Sequence, residues 1–234
     1  SNNTYITSGS LDNTFNIPLL ASYNTVTKAT EQIPTNYIGV TVTGVPIVNP
    51  AKGSWKSEGN WNYNAVKNNE TLTQGVYVIT PASAGLTEWS TTAASPKVGW
   101  AFDGLPIYGP YGYEDPSNVS SNVVAISSLF EIKTGTRPDG PGGSYTGHFV
   151  EDYQANTALA GTNGYVTDVT NVRYGYTVDS LTTKIYHYVA NDNFPFVIGG
   201  VKTEFTDLTY QGKYYKASHD ITANSNGNVS ITYA

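Results

Sequence analysis

The chain has 234 residues, a length that suits one β-rich domain or two small ones. Only 13% of residues are charged and the net charge is −6, which sets aside nucleic-acid backbones and anionic membranes as main partners, since both demand excess Lys and Arg. With 19 Tyr, 7 Phe and 4 Trp but neither Cys nor Met, disorder, disulfides, thiolate metal sites and a cysteine nucleophile are excluded together. Residues 1–32 are poorer in aromatics than the rest and read as an N-terminal arm or an added strand, leaving 33–234 as a single β domain. The run Ile38-Gly-Val-Thr-Val-Thr-Gly-Val-Pro-Ile-Val48 alternates apolar with small or polar residues, as a half-buried strand does. Gly75-Val-Tyr-Val-Ile-Thr80 is a short apolar run closed by Pro81, and Asp103-Gly104 between two apolar runs predicts a hairpin. Over 123–133, Val123, Ile126, Leu129 and Phe130 approach helical spacing with Gly135 as a stop, so a helix is predicted there. Val172-Arg-Tyr-Gly-Tyr-Thr-Val178 and Lys184-Ile-Tyr-His-Tyr-Val-Ala190 alternate again, and Asn228-Val-Ser-Ile-Thr-Tyr-Ala234 carries that period to the last residue.

Turn punctuators such as Pro138-Asp-Gly-Pro-Gly-Gly143 and Thr162-Asn-Gly164 separate these runs. The expected class is therefore mainly β, an antiparallel sandwich or barrel-like domain with long Gly/Pro/Asn-rich loops and little helix. No repeat of about 20–50 residues appears, which argues against a propeller or solenoid. No apolar run approaches the roughly 18 residues of a membrane-crossing helix, so no membrane insertion is expected. With Ser1 in front and no Met anywhere, the chain reads as the product of signal-peptide removal or of initiator clipping. Sequons at Asn2, Asn69, Asn118 and Asn228 arise easily in a sequence this rich in Asn, Ser and Thr.

The most informative stretch runs from Val98 to Asp115. Pro106, Gly109, Pro110 and Gly112 restrict the backbone along a path lined by Tyr108, Tyr111 and Tyr113. Its plain reading is a rigid tyrosine-lined turn; its functional reading is an aromatic surface in which Trp100, Tyr108 and Tyr111 flank Asp103 as an orienting carboxylate. Within it, Gly99-Trp-Ala-Phe-Asp-Gly-Leu-Pro-Ile-Tyr-Gly-Pro110 resembles the signature of the YHYH-domain family. The 38–50 strand, the Arg137-Pro-Asp-Gly-Pro-Gly-Gly turn with Glu151-Asp-Tyr153, the piece around Tyr186-His187-Tyr188, and Phe194-Pro-Phe-Val-Ile-Gly199 resemble further motifs of that family in the same order. The chain lacks the His-rich box found between the first strand and the D-G-x-P motif in many members. Val189 also stands where a second His would follow His187. The resemblance implies company with domains of tailed-phage virion proteins and of extracellular proteins.

Chemistry-bearing patterns are sparse. His148, His187 and His219 form no H-x-H or H-E-x-x-H pair, and His187 between two tyrosines reads as a cross-strand packing residue facing away from both. Calcium is the ion best matched to the Asp- and Asn-rich loops, with Asp115, Asp139, Asp152 and Asp192 as candidate ligands, although Asx-turns explain the same residues. No catalytic residue and no obligatory cofactor is expected. Glu151 and Asp152, read as strand neighbours, point to opposite faces and cannot act as a carboxylate pair. The expected function is a non-enzymatic structural subunit of an extracellular or virion-surface assembly, partnered by copies of itself or by other structural proteins. A secreted filament subunit with strand exchange and a carbohydrate-binding module are the alternatives.

Overall fold

The computed structural model describes residues 14–18, 37–52, 63–72, 75–200, 221–223 and 228–232. In chain order its first strands are β1 (Thr14–Pro18), β2 (Tyr37–Thr41), β3 (Pro46–Val48), β4 (Ala51–Lys52) and β5 (Tyr63–Asn64). There follow β6 (Lys97–Ala101), β7 (Pro106–Tyr108), β8 (Tyr111–Tyr113), β9 (Val123–Ala125) and β10 (Phe130–Ile132). The last are β11 (Tyr153–Ala155), β12 (Val172–Thr177), β13 (Ser180–Val189), β14 (Ile221–Ala223) and β15 (Asn228–Thr232). Six strands make one sheet in the order β12-β13-β7-β6-β2-β3, beside a three-stranded sheet and three two-stranded ones. The domain is mainly β, as its composition predicts, but the sheet is open and mixed rather than a closed barrel or a wholly antiparallel sandwich. The chain leaves β7, builds β8 to β12 and returns, and that long crossover sets β13 parallel to β7.

Four adjacent strands of the sheet, β7, β6, β2 and β3, are built from one hairpin used twice. Gly39, Gly44, Pro46, Ile47 and Pro50 of the first recur as Gly99, Gly104, Pro106, Ile107 and Pro110 of the second. Each turn closes with the same pair of backbone bonds: Thr41 N–H to Val45 O and Gly44 N–H to Thr41 O, then Ala101 N–H to Leu105 O and Gly104 N–H to Ala101 O. Gly44 and Gly104 both take φ near +90°, at 87° and 90°, a conformation that disfavours any side chain. The hairpins meet along β2 and β6, with Gly39 opposite Ala101, Val40 opposite Trp100 and Thr41 opposite Gly99. Reciprocal bonds from Val42 N–H to Val98 O and from Phe102 N–H to Ile38 O extend that seam. It is a two-fold arrangement inside one chain. The repeat unit is a single hairpin, shorter than the units whose recurrence marks solenoids and propellers.

The two hairpins also supply matched core residues. Ile38 with Val98 and Ile47 with Ile107 lie in one buried cluster with Val172, Tyr188, Phe196, Val197 and Ile198. A side chain of this kind contributes about 1.5–3 kcal/mol when fully buried. The opposite face carries a second cluster of Ile126, Leu129, Val166 and Val189. Alternation along β13 decides the faces: Tyr188 joins the first cluster and its neighbour Val189 the second.

Both edges of the six-stranded sheet are covered. On β3, Val48 N–H donates to Val76 O and Val76 N–H to Pro46 O, so the 75–80 run docks by a bridge instead of forming the strand its composition suggests. On β12, Tyr174 N–H donates to the Thr167 hydroxyl, Thr167 N–H to Val172 O, and Tyr176 N–H to Pro116 O. Loops thus occupy the groups that would otherwise recruit another strand.

Two expectations are corrected. The helix predicted over 123–133 is two strands: Val123 and Val124 pair with Tyr113 and Gly112 of β8, while Glu131 and Ile132 pair with Gln154 and Tyr153 of β11. The β-branched Val123 and Val124 suit a pleated partner, and tertiary pairing overrides the spacing. Glu151 and Asp152 lie in a 3-10 turn, Val150–Asp152, not on a strand. Within the expected N-terminal arm, β1 pairs antiparallel with β15 of the same chain, Thr14 opposite Thr232; the remainder of 1–32 lies outside the described residues.

The seam depends on missing side chains. A Cβ at Gly99 would lie 2.5 Å from the Val40 carbonyl oxygen and 3.2 Å from Thr41 Cα, and one at Gly39 would lie 2.7 Å from the Trp100 carbonyl oxygen. Backbone cannot yield as a flexible side chain can. Gly99→Ala is therefore expected to destabilise the fold by about 1–3 kcal/mol, read as a lowered urea midpoint at unchanged slope; a midpoint within experimental error of wild type contradicts this account.

Candidate functional site

Among the differences between the two hairpins, the one at the turn changes the chemistry most. Where the first has Thr43, exposed and bonded to the Ser83 carbonyl oxygen at 2.5 Å, the second has Asp103, only 2% exposed. Asp103 Oδ1 accepts the Leu105 N–H at 3.1 Å, which closes the turn from inside. Its Oδ2 lies 2.6 Å from the Tyr188 hydroxyl, whose oxygen is also 2.8 Å from the Gly200 carbonyl oxygen. The single phenolic proton thus stands between two acceptors, and the D-G-L-P turn, the Y-H-Y strand and the end of the F-P-F-V-I-G piece meet at one buried oxygen.

Asn171 ties the same pieces together from the other side. It is buried with φ +71°, and its Nδ2 donates to Val189 O at 2.7 Å and Val197 O at 2.9 Å. Its Oδ1 accepts from Asn191 Nδ2 at 3.2 Å. A side-chain amide supplies donors and an acceptor together, so one residue satisfies several buried groups.

A second polar node forms around Asp152, a predicted calcium ligand. Its carboxylate is fully buried and is gripped in fork geometry by Arg137, Nε to Oδ1 and Nη2 to Oδ2, both at 2.7 Å. Backbone N–H groups of Gly147 and Thr146 add bonds to Oδ2 at 2.8 and 3.2 Å. Burial raises this carboxyl's pKa, but the Arg137 bond, the backbone donors and the guanidinium charge outweigh it and hold it below the usual carboxylate range. The Gly/Pro turn of 137–143 is thereby a device for returning Arg137 to Asp152. Tyr153 stacks on Phe194 at 4.4 Å, which joins this node to the F-P-F piece.

The other predicted calcium ligands lie apart from it. Asp115 Oδ1 accepts Ser117 N–H at 2.8 Å as an Asx-turn, and Asp139 and Asp192 are exposed. Among the described residues no group of three His, Asp or Glu side chains converges on a common point.

A third cluster lies on the opposite face of β13, where sequence reading places His187. His187 is 4% exposed, pairs in register with Arg173 of β12, and meets the Tyr108 ring edge-on at 5.2 Å. Its Nδ1 donates to the Ile185 carbonyl oxygen at 3.2 Å. Burial, with the Arg173 charge adding to it, pushes the imidazole pKa down to about 4. The ring is therefore neutral at physiological pH. Tyr108 is pushed up to about 12, chiefly by burial, and donates to Asp179 Oδ2 at 3.0 Å. Arg173 is lowered to about 10 by burial, opposed by the charge of Asp115. Ser95, Tyr111 and Thr177 are among the other residues that line a small cavity here.

Of the aromatic positions singled out in the sequence, Tyr108 and Tyr188 are buried, Tyr111 and Trp100 are half-buried, and Lys97 Nζ sits 4.8 Å from the Trp100 ring centroid. Tyr186 stacks on the exposed Tyr174 at 4.4 Å, with Lys184 Nζ 4.9 Å from the Tyr174 ring. Arg173, Asn171 and Thr177 escaped sequence reading. Strand alternation places Arg173 and Thr177 on one face, but only the covering of that face by Ile126 and Val166 makes them interior residues.

These nodes define a mainly β domain whose motif residues clasp distant segments to one another. The model of the YHYH protein family matches residues 14–202, and the chain belongs to that family. No curated protein and no solved structure matches it.

Two outcomes follow from this geometry. Tyr188→Phe keeps the ring and deletes the hydroxyl shared by Asp103 and Gly200, so stability should fall by about 1–3 kcal/mol in urea unfolding; an unchanged midpoint contradicts the clasp. His187 binds its proton more weakly folded than unfolded, so its stabilising contribution is complete above about pH 6.5 and is lost as pH falls toward about 4. His187→Gln should flatten the stability profile by on the order of 3 kcal/mol across that window. Parallel profiles for the two proteins would show that His187 does not drive the loss.

Proposed function

We propose that this chain is a non-enzymatic structural subunit of an extracellular assembly, a virion of the tailed-phage type in the first instance. The observation that carries this reading is the use made of the motif residues. Asp103, Tyr188, Asp152 and Arg137 are bonded to one another and to backbone across long stretches of sequence, as a rigid scaffold needs. A general acid or base, by contrast, must reach a substrate proton.

The covered edges bear on how such a subunit would dock. Loops occupy the outer groups of β3 and β12, so the large sheet is closed to strand addition. Association would then use side-chain surfaces, among them the exposed Tyr174 with Tyr186 and Lys184, or the small terminal sheet. A second reading, a filament subunit with strand exchange, is favoured by that terminal sheet. It joins the two ends of the chain through β1 and β15, and the same pairing made between copies is a strand swap.

Immunogold labelling of native particles with antibody against the chain tests the proposal. Label at regular positions on pelleted particles supports it. Recovery only as a free monomer in the soluble fraction overturns it.

A further inference from the structure

Two arginines are buried in this domain and they are treated differently. Arg137 is neutralised by the paired oxygens of Asp152. Arg173, 2% exposed and among the largest fully buried side chains, makes no ion pair among the described residues. Its Nη2 donates to the Glu114 carbonyl oxygen at 2.9 Å, but its Nε–H is buried without an acceptor. The ring beside it on β13, His187, is neutral and leaves the charge uncompensated. Asp115 exerts the one attractive charge on Arg173, from a half-exposed turn. A buried cation with an orphan donor is costly unless something pairs with it.

The space for such a partner is present. Arg173, Ser95, Tyr108, Tyr111, Thr177 and His187 line a cavity of about 20 Å³, room for a single water-sized occupant. Ser95 Oγ accepts the Tyr111 N–H at 3.0 Å, which leaves the serine proton uncommitted and available as a second donor. No carboxylate lines the cavity, so its electrostatics favour a negative occupant. A monatomic anion matches a space this small better than a polyatomic oxyanion does. A water would satisfy the Nε–H but would leave the charge unpaired.

We propose that the cavity beside Arg173 is a halide site, holding one chloride ion between the Arg173 guanidinium and the Ser95 hydroxyl. The ion would neutralise the interior charge between β12 and the 94–95 segment, and so tie the second face of the sheet together.

The test is thermal unfolding of the full chain in sodium chloride or bromide against sodium gluconate at equal ionic strength, with bromide-soaked crystals examined at the bromine edge. The expected result is a saturable rise in Tm of roughly 2–4 °C with halide and an anomalous peak beside Arg173. Arg173→Met should abolish the saturable rise. Should that variant fail to fold, Ser95→Ala serves instead: it should need roughly tenfold more chloride for the same rise, the effect of a single hydrogen bond to a charge. Equal melting in halide and gluconate, or a cavity that contains only water while bromide occupies surface lysines, overturns the proposal.

Discussion

The close approach of two backbones at Gly39 and Gly99 is the constraint on which the rest of the fold depends. Because neither residue has a side chain, each can lie against a carbonyl of the opposing hairpin, and the paired hairpins share one set of reciprocal hydrogen bonds. That contact sets Ile38, Ile47, Val98 and Ile107 into one cluster. It also fixes the outer position of β7, against which β13 must lie. The adjacency of β7 and β13 is a consequence, since β13 can pair with β7 only on the side that β6 leaves free.

Symmetry explains the scaffold, and its breaking explains the motif. A turn with Thr43 meets solvent, whereas the equivalent turn with Asp103 meets Tyr188. A buried carboxylate is costly unless bonded, so Asp103 in this place requires both the Leu105 N–H and a hydroxyl from β13, which lies beside β7 in the same sheet. The tyrosine that supplies it is the last of the Y-H-Y trio. Its position two residues from Tyr186 also directs His187 to the other face. One strand therefore serves two interiors of different chemistry: a carboxylate clasp in the apolar cluster, and a neutral imidazole beside an arginine on the second face.

Much of the β architecture was legible in the sequence because alternation and turn residues are local signals. The 99–110 hairpin, the alternating runs that become β12 and β13, and the turning of His187 away from its tyrosine neighbours can all be read that way. What was not legible depends on partners far along the chain. The Tyr188–Asp103 bond spans 85 residues, and nothing in either motif announces the other. The 123–133 segment fits helical spacing, yet its valines find a strand partner in β8, and pairing across space decides the outcome. Asp152 reads as an ion ligand because loops rich in Asp and Asn suit calcium; Arg137, fifteen residues away, already holds it. Arg173 was overlooked for the converse reason. An arginine on an alternating strand is ordinarily a solvent residue, and only the packing of Ile126, Leu129 and Val166 over that face turns it inward.

A chain with so few charges cannot leave its interior ones unattended. Arg137 and Asp152 neutralise each other within hydrogen-bond distance, and backbone donors complete the carboxylate's shell. His187 gives up its proton, because the arginine beside it and its own burial both disfavour a second positive charge. Tyr108 keeps its proton and donates a hydrogen bond to Asp179, so no phenolate forms to balance Arg173 from within. With the imidazole neutral, the phenol protonated and no carboxylate among the cavity walls, Asp115 in its half-exposed turn is the one attractive charge that the described residues set against Arg173. The same reasoning bears on the exterior: a surface of tyrosine, threonine and asparagine with net charge −6 exerts little long-range steering. A partner docking on such a surface would be selected by shape and aromatic contact more than by charge.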